Sequence, residues 1–224
     1  NLSEIVVNQG NSYYDSRNNC NAIIEKANGL LVAGCTSTLI PEGVTTIGYG
    51  AFCASNLSSI DIPKSVTSIG YYAFQSCSSL TTITIPEGVT SIGDWACYGC
   101  SSLKTVINYS DLPLQRGSND YGYVAYYADR VINVDEVIDG YAFKTIEGVH
   151  YLTGYMGDNT ELTLPADYKG ENYQIGDEAF RSCSSLTAIT IPENSQLTSI
   201  GEYAFFDCSS LTAITIPENS QLTS

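Results

Sequence analysis

The side chains best suited to catalysis or to metal binding are one Cys-x-x-Cys pair and a single histidine. Cys97 and Cys100 have the spacing of redox and zinc sites, but a structural zinc site also needs a second such pair, which the sequence lacks. His150 is the only histidine, so it would have to act as the base for any cysteine or serine nucleophile. It stands in the segment VHYL, where alternation favours an ordinary position on a sheet surface. No catalytic residue is therefore predicted.

A short acidic stretch is a second candidate for metal binding. Asp135, Glu136 and Asp139 could hold calcium through carboxylate oxygens. The stretch lacks the spacing and the glycine of an EF-hand loop, so a solvated acidic face is the preferred interpretation. The sequence thus predicts neither a metal nor any other cofactor.

The chain as a whole is acidic, and this excludes several classes of partner. Its 224 residues include 24 acidic and 9 basic side chains, for a net charge of -15. Nucleic-acid binding needs Lys and Arg at the phosphates, and anionic membranes repel such a chain for the same reason. No apolar run approaches the roughly 20 residues that span a bilayer. The charge therefore disfavours nucleic acid and anionic membranes as partners.

The framework around these side chains is a repeat of 23 to 25 residues. The unit that begins at Leu80 reads LTTITIPEGVTSIGDWACYGCSS, and a longer unit begins at Leu186 and recurs from Leu211. Each unit opens with L-x-x-I-x-I, the strand pattern of leucine-rich repeats. Stacked units bury apolar faces that a single unit could not bury alone.

The strand pattern assigns an inner and an outer face. Alternation sends Ile83 and Ile85 into the core and Thr82 and Thr84 outward, and Pro86 ends the strand because it has no N–H for the ladder. The Ala-Phe pair that follows in most units is predicted to form a short helical turn, and the sheet is predicted to have about nine strands. The predicted core of this unit consists of Leu80, Ile83, Ile85, Val89, Ile92 and Ala96.

Four cysteines recur at one place in the repeat, in the step C-S-S-L. In this register Cys97 replaces the usual phenylalanine, and Cys100 belongs to the recurring set. We therefore predict a ladder of buried, reduced and metal-free thiols that pack as small apolar groups. The members of the set are Cys77, Cys100, Cys183 and Cys208.

The recurring units resemble the BspA-like leucine-rich-repeat family of bacterial surface proteins. The resemblance rests on the pattern I-P-x-x-V-T-S-I-G-x-x-A-F-x-x-C-S-S-L-T-x-I, and clear units cover residues 39–108 and 175–224. It implies a solenoid with a parallel sheet, adhesion to host proteins and other cells, and no catalytic residues. We expect an α/β, mostly β fold: a right-handed leucine-rich-repeat solenoid with short helical turns, forming one domain over residues 1–224. Both ends fall inside a repeat, so the segment is expected to come from a longer array.

Two insertions interrupt the regular units, over residues 8–38 and 109–174. Each is predicted to contain a β-hairpin, the first with its turn at residues 26–29 and the second with its turn at Glu147 and Gly148. Cys20 and Cys35 flank the first hairpin, where they are either bonded or unlinked, with unlinked thiols preferred. In the second insertion, residues 122–131 are expected to form a short helix in which Gly122 matches the Ile-Gly step.

The second insertion is also the preferred binding region, because it holds ten of the chain's 17 tyrosines. Tyrosine is enriched at interfaces, where its ring buries apolar area while its hydroxyl still forms hydrogen bonds. Tyr126 and Tyr127 are expected in the core, and the threonine-rich sheet face is the alternative surface. The predicted binding residues are Tyr121, Tyr123, Tyr155 and Tyr173.

These features together favour a non-enzymatic protein-binding or adhesion module, located outside the cell or at its surface. The expected partner is a protein, such as a host matrix protein or a surface protein of another cell. The alternative is a structural scaffold or spacer that presents an enzyme or a binding domain lying outside this segment.

Overall fold

The computed structural model describes residues 2–223, so positions 1 and 224 lie outside the described residues. The protein is mostly β, a solenoid of about 7 turns with parallel sheets and almost no helix. About nine turns were predicted, each contributing one strand to the sheet, so the solenoid has fewer turns than expected. The chain divides into two compact units, residues 1–131 and 132–224, with separate cores.

The first unit contains one six-stranded sheet and the parallel pair β6 and β8, which belongs to a three-stranded sheet in the order β6-β8-β9. In the larger sheet β1, β2 and β3 are antiparallel, and β4, β5 and β7 continue it in parallel, while β6 pairs with β8. The division between the units falls inside β9. The strands are β1 (Tyr14–Asp15), β2 (Ala22–Glu25), β3 (Leu30–Gly34), β4 (Thr46–Ile47), β5 (Ser68–Ile69), β6 (Thr82–Ile85), β7 (Ser91–Ile92), β8 (Thr105–Asn108) and β9 (Arg130–Asn133).

The predicted strand register is confirmed. Leu80, Ile83, Ile85, Val89 and Ala96 are buried, and Ile92 is partly buried against the same core. The two outward threonines of β6 are half-buried. The alternation predicted from the pattern L-x-x-I-x-I therefore sets which side chains the solenoid encloses.

Threonine hydroxyls add hydrogen bonds between successive turns. Thr67 Oγ1 donates to the Thr45 carbonyl at 3.2 Å, and Thr90 Oγ1 donates to the Thr67 carbonyl at 3.3 Å. The second unit repeats the pattern, with Thr212 Oγ1 donating to the Thr187 carbonyl at 3.2 Å. These threonines are thus partly used by the scaffold itself.

The Ala-Phe segments are tight turns, and the short helical turns expected there do not form. Phe52 N–H donates to the Ala73 carbonyl at 2.7 Å, and Phe74 N–H donates to the Ala96 carbonyl at 2.8 Å. The rings of Phe52 and Phe74 stack with their centroids 5.3 Å apart. Hydrogen bonds to the next turn replace the bonds that a helix would make within itself.

The helix expected over residues 122–131 is also absent. Tyr121–Tyr123 forms a 3₁₀ turn in which Gly122 has a φ of 67°. Cys97 N–H donates to the Gly122 carbonyl at 2.7 Å. This bond matches the one from Phe74 N–H to the Ala96 carbonyl, so Gly122 stands at the alanine position of its turn. The predicted match of Gly122 to the glycine of the Ile-Gly step was therefore wrong.

The second unit contains one mixed sheet and one parallel sheet. The mixed sheet has the order β10-β11-β12-β14-β16, antiparallel up to β12 and parallel beyond it, and β13, β15 and β17 form the parallel sheet. The strands are β10 (Glu136–Ile138), β11 (Tyr141–Ile146), β12 (Val149–Tyr155), β13 (Glu161–Thr163), β14 (Tyr173–Ile175), β15 (Ala188–Thr190), β16 (Leu197–Ile200) and β17 (Ala213–Thr215).

Both predicted hairpins are confirmed. β2 and β3 pair around residues 26–29, and β11 and β12 pair around Glu147 and Gly148. Those two residues have φ of 51° and 80°, as a two-residue turn between twisted antiparallel strands requires. The insertions thus extend the sheets of the solenoid at these places.

Candidate functional site

The recurring cysteines form a ladder of hydrogen bonds to the preceding turn. Cys77 Sγ donates to the Phe52 carbonyl and Cys100 Sγ to the Phe74 carbonyl, both at 3.1 Å, and Cys208 Sγ donates to the Phe180 carbonyl at 3.0 Å. Cys77 and Cys100 are buried as predicted, whereas Cys183 and Cys208 are only half-buried. The thiols fill the core and also satisfy a carbonyl in the turn beside them.

The environment of the Cys-x-x-Cys pair opposes redox chemistry. The pKa of Cys77 is strongly raised by its hydrogen bond with Cys100 and by burial. The pKa of Cys100 is lowered by Cys77, but the bond with Cys97 and burial outweigh this and raise it. Thiolate is the reactive form, so these groups are inert near neutral pH. Across residues 2–223, no group of three or more His, Cys, Asp or Glu side chains could hold a metal ion.

Cys20 and Cys35 are both buried and carry free thiols. Cys35 Sγ donates to the Asn21 carbonyl at 3.5 Å. A bulge between Ile23 and Ile24 shifts the strand pairing, so that Ala22 faces Gly34. The direct pairing of the two cysteines expected from an uninterrupted hairpin is therefore displaced.

His150 lies half-buried on β12, with a hydroxyl on one side and a carboxylate on the other. Its Nδ1 is 2.9 Å from Thr145 Oγ1, and its Nε2 is 3.2 Å from Glu171 Oε2. The ring lies 4.4 Å from that of Tyr168. The trio has the order of groups found in hydrolytic triads, and the sequence analysis did not anticipate it.

The surroundings of Thr145 argue against nucleophilic catalysis by this trio. Thr145 N–H donates to Asp135 Oδ2 at 2.7 Å. An oxyanion formed at the threonine would need such N–H groups, and the negative carboxylate would oppose it. Thr145 and His150 are also direct cross-strand partners, which accounts for their contact without any catalytic role.

Two carboxylates of the acidic stretch form ion pairs with lysines. Lys144 Nζ lies 2.7 Å from Asp135, and Lys169 Nζ lies 2.6 Å from Glu136. Glu136 also accepts a hydrogen bond from the Tyr168 hydroxyl. The pKa of Glu136 is lowered, first by Lys169 and then by Tyr168. The lysine ammonium groups therefore offset the negative charge of Asp135 and Glu136.

The predicted tyrosines divide into exposed and buried members. Tyr121, Tyr123 and Tyr155 are half-buried, with parts of their rings at the surface. Tyr173 is buried, and its hydroxyl donates to the Pro165 carbonyl at 2.7 Å, so its predicted exposure was wrong. Tyr126, expected in the core, is 46% exposed because the register shift at Gly122 moves it out of the Ala-Phe place.

Tyr123 belongs to a continuous line of rings along the first unit, which we call the aromatic stripe. Neighbouring centroids lie 4.9 to 6.4 Å apart, with Trp95 in contact with Tyr72, Tyr98 and Tyr123. Edge-to-face and offset contacts of this kind are favourable for aromatic pairs. The stripe consists of Tyr49, Tyr72, Trp95, Tyr98, Tyr123, Tyr126 and Tyr127.

The stripe lies at the surface. Tyr49 is 76% exposed, and Trp95 and Tyr98 are each 41% exposed. Tyr127 is more enclosed, and its hydroxyl accepts the Gly99 N–H at 3.2 Å. A contiguous exposed aromatic patch is a candidate site of interaction.

Some stripe residues have a backbone conformation that favours glycine. Tyr72 and Trp95, which directly precede the alanine of the repeat, have φ of 59° and 63°. In the preceding turn the same place is held by Gly50, with φ of 60°. The same place has positive φ in the second unit, at Glu178 (56°) and Tyr203 (55°), so this conformation belongs to the turn of the repeat and does not single out the stripe. The recurrence of aromatic residues at this place was the signal available in the sequence.

Comparison with protein families identifies the repeat. The model of the BspA-type leucine-rich-repeat region matches residues 32–114 and 158–224 in 6 copies, which is more than half of the chain. The chain belongs to the BspA-type leucine-rich-repeat family. No helix in residues 2–223 is long and apolar enough to cross a membrane.

Solved structures with similar folds include several bacterial leucine-rich-repeat proteins. A leucine-rich cell surface protein from Faecalibacterium prausnitzii is 28% identical, with a TM-score of 0.38, and the match covers 80% of this chain and 40% of that one. The Treponema protein described as T. pallidum TpLRR is 19% identical, with a TM-score of 0.34, covering 84% and 75% of the two chains.

The pneumococcal vaccine antigen PcpA is also 19% identical, with a TM-score of 0.39, covering 86% of this chain and 55% of that one. This BspA-type chain thus spans less than two thirds of the length of two of these three structures. No curated protein matches it.

Proposed function

We propose that this chain is a non-enzymatic protein-binding module of a secreted or surface-displayed bacterial protein, and that it binds its partner through the aromatic stripe. The observation that carries the proposal is the line of exposed rings on a stack of hydrogen-bonded turns. Tyr and Trp dominate the binding energy of protein interfaces, and a rigid support lowers the entropy lost on association.

The competing surface is the outer face of the sheets. Its threonines at positions 82 and 84 are half-buried. The hydroxyls of other threonines donate hydrogen bonds to the carbonyls of neighbouring turns. Such a face offers fewer free hydrogen-bonding groups, and the strands β6 and β8 place no aromatic ring on it. The stripe is therefore the better candidate for an adhesive surface.

The proposal is tested by binding to a panel of purified extracellular-matrix proteins and surface proteins of neighbouring bacteria. The double variant Trp95→Ala and Tyr98→Ala should weaken binding to any partner by about thirtyfold or more, since even one hot spot contributes ~2 kcal/mol or more. The matched control is Tyr13→Ala, because Tyr13 is 75% exposed and outside the stripe.

The sheet face is tested in the same assay by Thr82→Lys with Thr190→Lys. If that pair abolishes binding while the stripe variant binds normally, the sheet face is the site and the proposal is wrong. Circular dichroism of each variant establishes that the fold is retained.

A further inference from the structure

Turns of the second unit carry different side chains at the positions that correspond to stripe residues of the first unit. Arg181 and Phe206 stand two residues after the alanine of their turns, where Tyr98 stands in the first unit. The Arg181 guanidinium lies 4.2 Å from the Phe206 ring centroid. Its Nη1 also lies 3.2 Å from Glu178 Oε1, on the residue that precedes the alanine. Adjacent turns of this solenoid thus accommodate an arginine over a ring beside a carboxylate.

In the first unit the rings are present without such an arginine. The residue one turn before Tyr98 at this place is Gln75, which is uncharged and accepts a hydrogen bond from Cys53 Sγ at 3.6 Å. Within residues 2–223, no ammonium or guanidinium group lies over a ring of the stripe. The rings pack partly on one another, and the 41% of Trp95 and of Tyr98 that is exposed is the surface available to a cation from another molecule.

Carboxylates flank the same rings. Asp94 immediately precedes Trp95, and Asp120 holds the equivalent place in the next turn, because Gly122 there corresponds to Ala96. Both aspartates are exposed, and neither forms an ion pair within the described part of the chain. Asp94 and Asp120 stand one residue earlier in their turns than Glu178 does, and their carboxylates can bind an arginine that a partner brings to the rings.

We infer that the aromatic stripe recognises an arginine-rich segment of a basic protein, with guanidinium groups on the faces of Trp95 and Tyr98 and ion-paired to Asp94 and Asp120. The inference rests on the proposed function and adds the chemistry of the partner. The net charge of -15 favours the approach of a basic protein over an acidic one. A planar guanidinium stacks on aromatic rings and binds carboxylates at the same time, which a lysine ammonium does less well.

The test uses the complete 224-residue chain and the fluorescence of Trp95, the only tryptophan. A peptide of nine arginines should change that fluorescence saturably, and a peptide of nine citrullines, which keeps the shape without the charge, should not. A peptide of nine lysines should bind more weakly than the arginine peptide. Equal binding of the arginine and citrulline peptides would refute the inference.

Calorimetry of variants separates stacking from general attraction. Tyr98→Ala with Tyr123→Ala keeps the net charge, so simple electrostatic attraction predicts no change, whereas stacking predicts a loss of about tenfold. Asp94→Asn with Asp120→Asn should weaken binding more than the charge-matched control, Glu193→Gln with Glu218→Gln. Unchanged affinity of the tyrosine variant, or equal effects of the two charge pairs, would overturn the inference.

The outcomes also distinguish this inference from the proposed function. One outcome is that stripe variants fail to bind a protein partner while the unmodified chain does not bind the arginine peptide. In that case the stripe remains the binding surface, and only the inferred recognition of arginine is wrong. If the sheet-face variants alone lose the partner, the proposed function itself fails.

Discussion

At the scale of single residues, the cysteines show how repeat position decides chemistry. Cys97 and Cys100 have the spacing of a redox motif, yet both are completely buried in the core of the first unit. Cys53 belongs to the same series of turns but is exposed, with its Sγ 3.6 Å from Gln75 Oε1. The same side chain is therefore a core group at one place in the turn and an accessible thiol at another.

This contrast predicts the reactivity of the thiols. In the native protein near pH 8, Cys53 should react with a disulfide reagent, whereas Cys77, Cys97 and Cys100 should react only after denaturation, because they are buried. Thiol counting with and without denaturant measures this. Rapid native reaction of Cys100, or stoichiometric zinc in the purified protein, would contradict the assignment.

The raised pKa values also predict a loss of stability at alkaline pH. The folded state holds the protons of Cys77 and Cys100 more tightly than the unfolded state, whose thiols titrate near 9.0. The stabilisation is therefore complete below pH 9.0 and declines as the pH rises above it. Chemical denaturation from pH 7 to 10 measures the decline, and Cys100→Ala should reduce it.

At the scale of elements, the strand β6 is defined by the alternation of isoleucine and threonine. Its isoleucines are buried and its threonines half-buried, and the pairing of Ile83 with Val106 and of Ile85 with Asn108 holds β6 in register with β8. A shift of one residue would place both threonines in the core. The hydrophobic pattern is therefore sufficient to fix this register.

The register predicts unequal effects of truncation on the two faces of β6. Ile85→Ala should lower the free energy of unfolding by about 2–5 kcal/mol, because it leaves a cavity in a packed core. Thr84→Ala, on the outer face, should cost about 1 kcal/mol or less. Urea denaturation of the two variants provides the comparison, and equal losses would show that the faces are misassigned.

At the scale of the whole molecule, the proposed binding assigns separate roles to charge and to the aromatic rings. The net charge of -15 acts over a long range, while the stripe acts only in contact. Electrostatic attraction mainly raises the association rate, and the packed centre of an interface mainly sets the dissociation rate.

Binding kinetics with a basic partner should reflect this separation. Raising the salt concentration from 0.05 to 0.5 M (about 14 to 4 Å in screening length) should slow association and leave dissociation nearly unchanged. Trp95→Ala should instead speed dissociation. Surface plasmon resonance resolves both rates, and a salt effect confined to dissociation would show that long-range charge does not guide this partner.

The sequence by itself determined the solenoid, the faces of regular strands such as β6, and both hairpins, whereas β17 is exposed at all three residues. These features depend on local patterns: the repeat of L-x-x-I-x-I, alternation along a strand, and turn residues such as Glu147 and Gly148. Each pattern acts between neighbours in the chain or between identical units, so one sequence contains the whole signal.

Only the tertiary structure decided which aromatic residues form the exposed stripe that we propose as the binding surface. Tyr173 is buried and Tyr126 exposed, and Tyr123 meets Trp95 because Gly122 takes the alanine place in an irregular turn. The stripe joins residues from successive turns, and the contacts depend on how the inserted segment stacks on the regular ones. That stacking is set by hydrogen bonds between turns, and these bonds cannot be predicted from the spacing of residues along the chain.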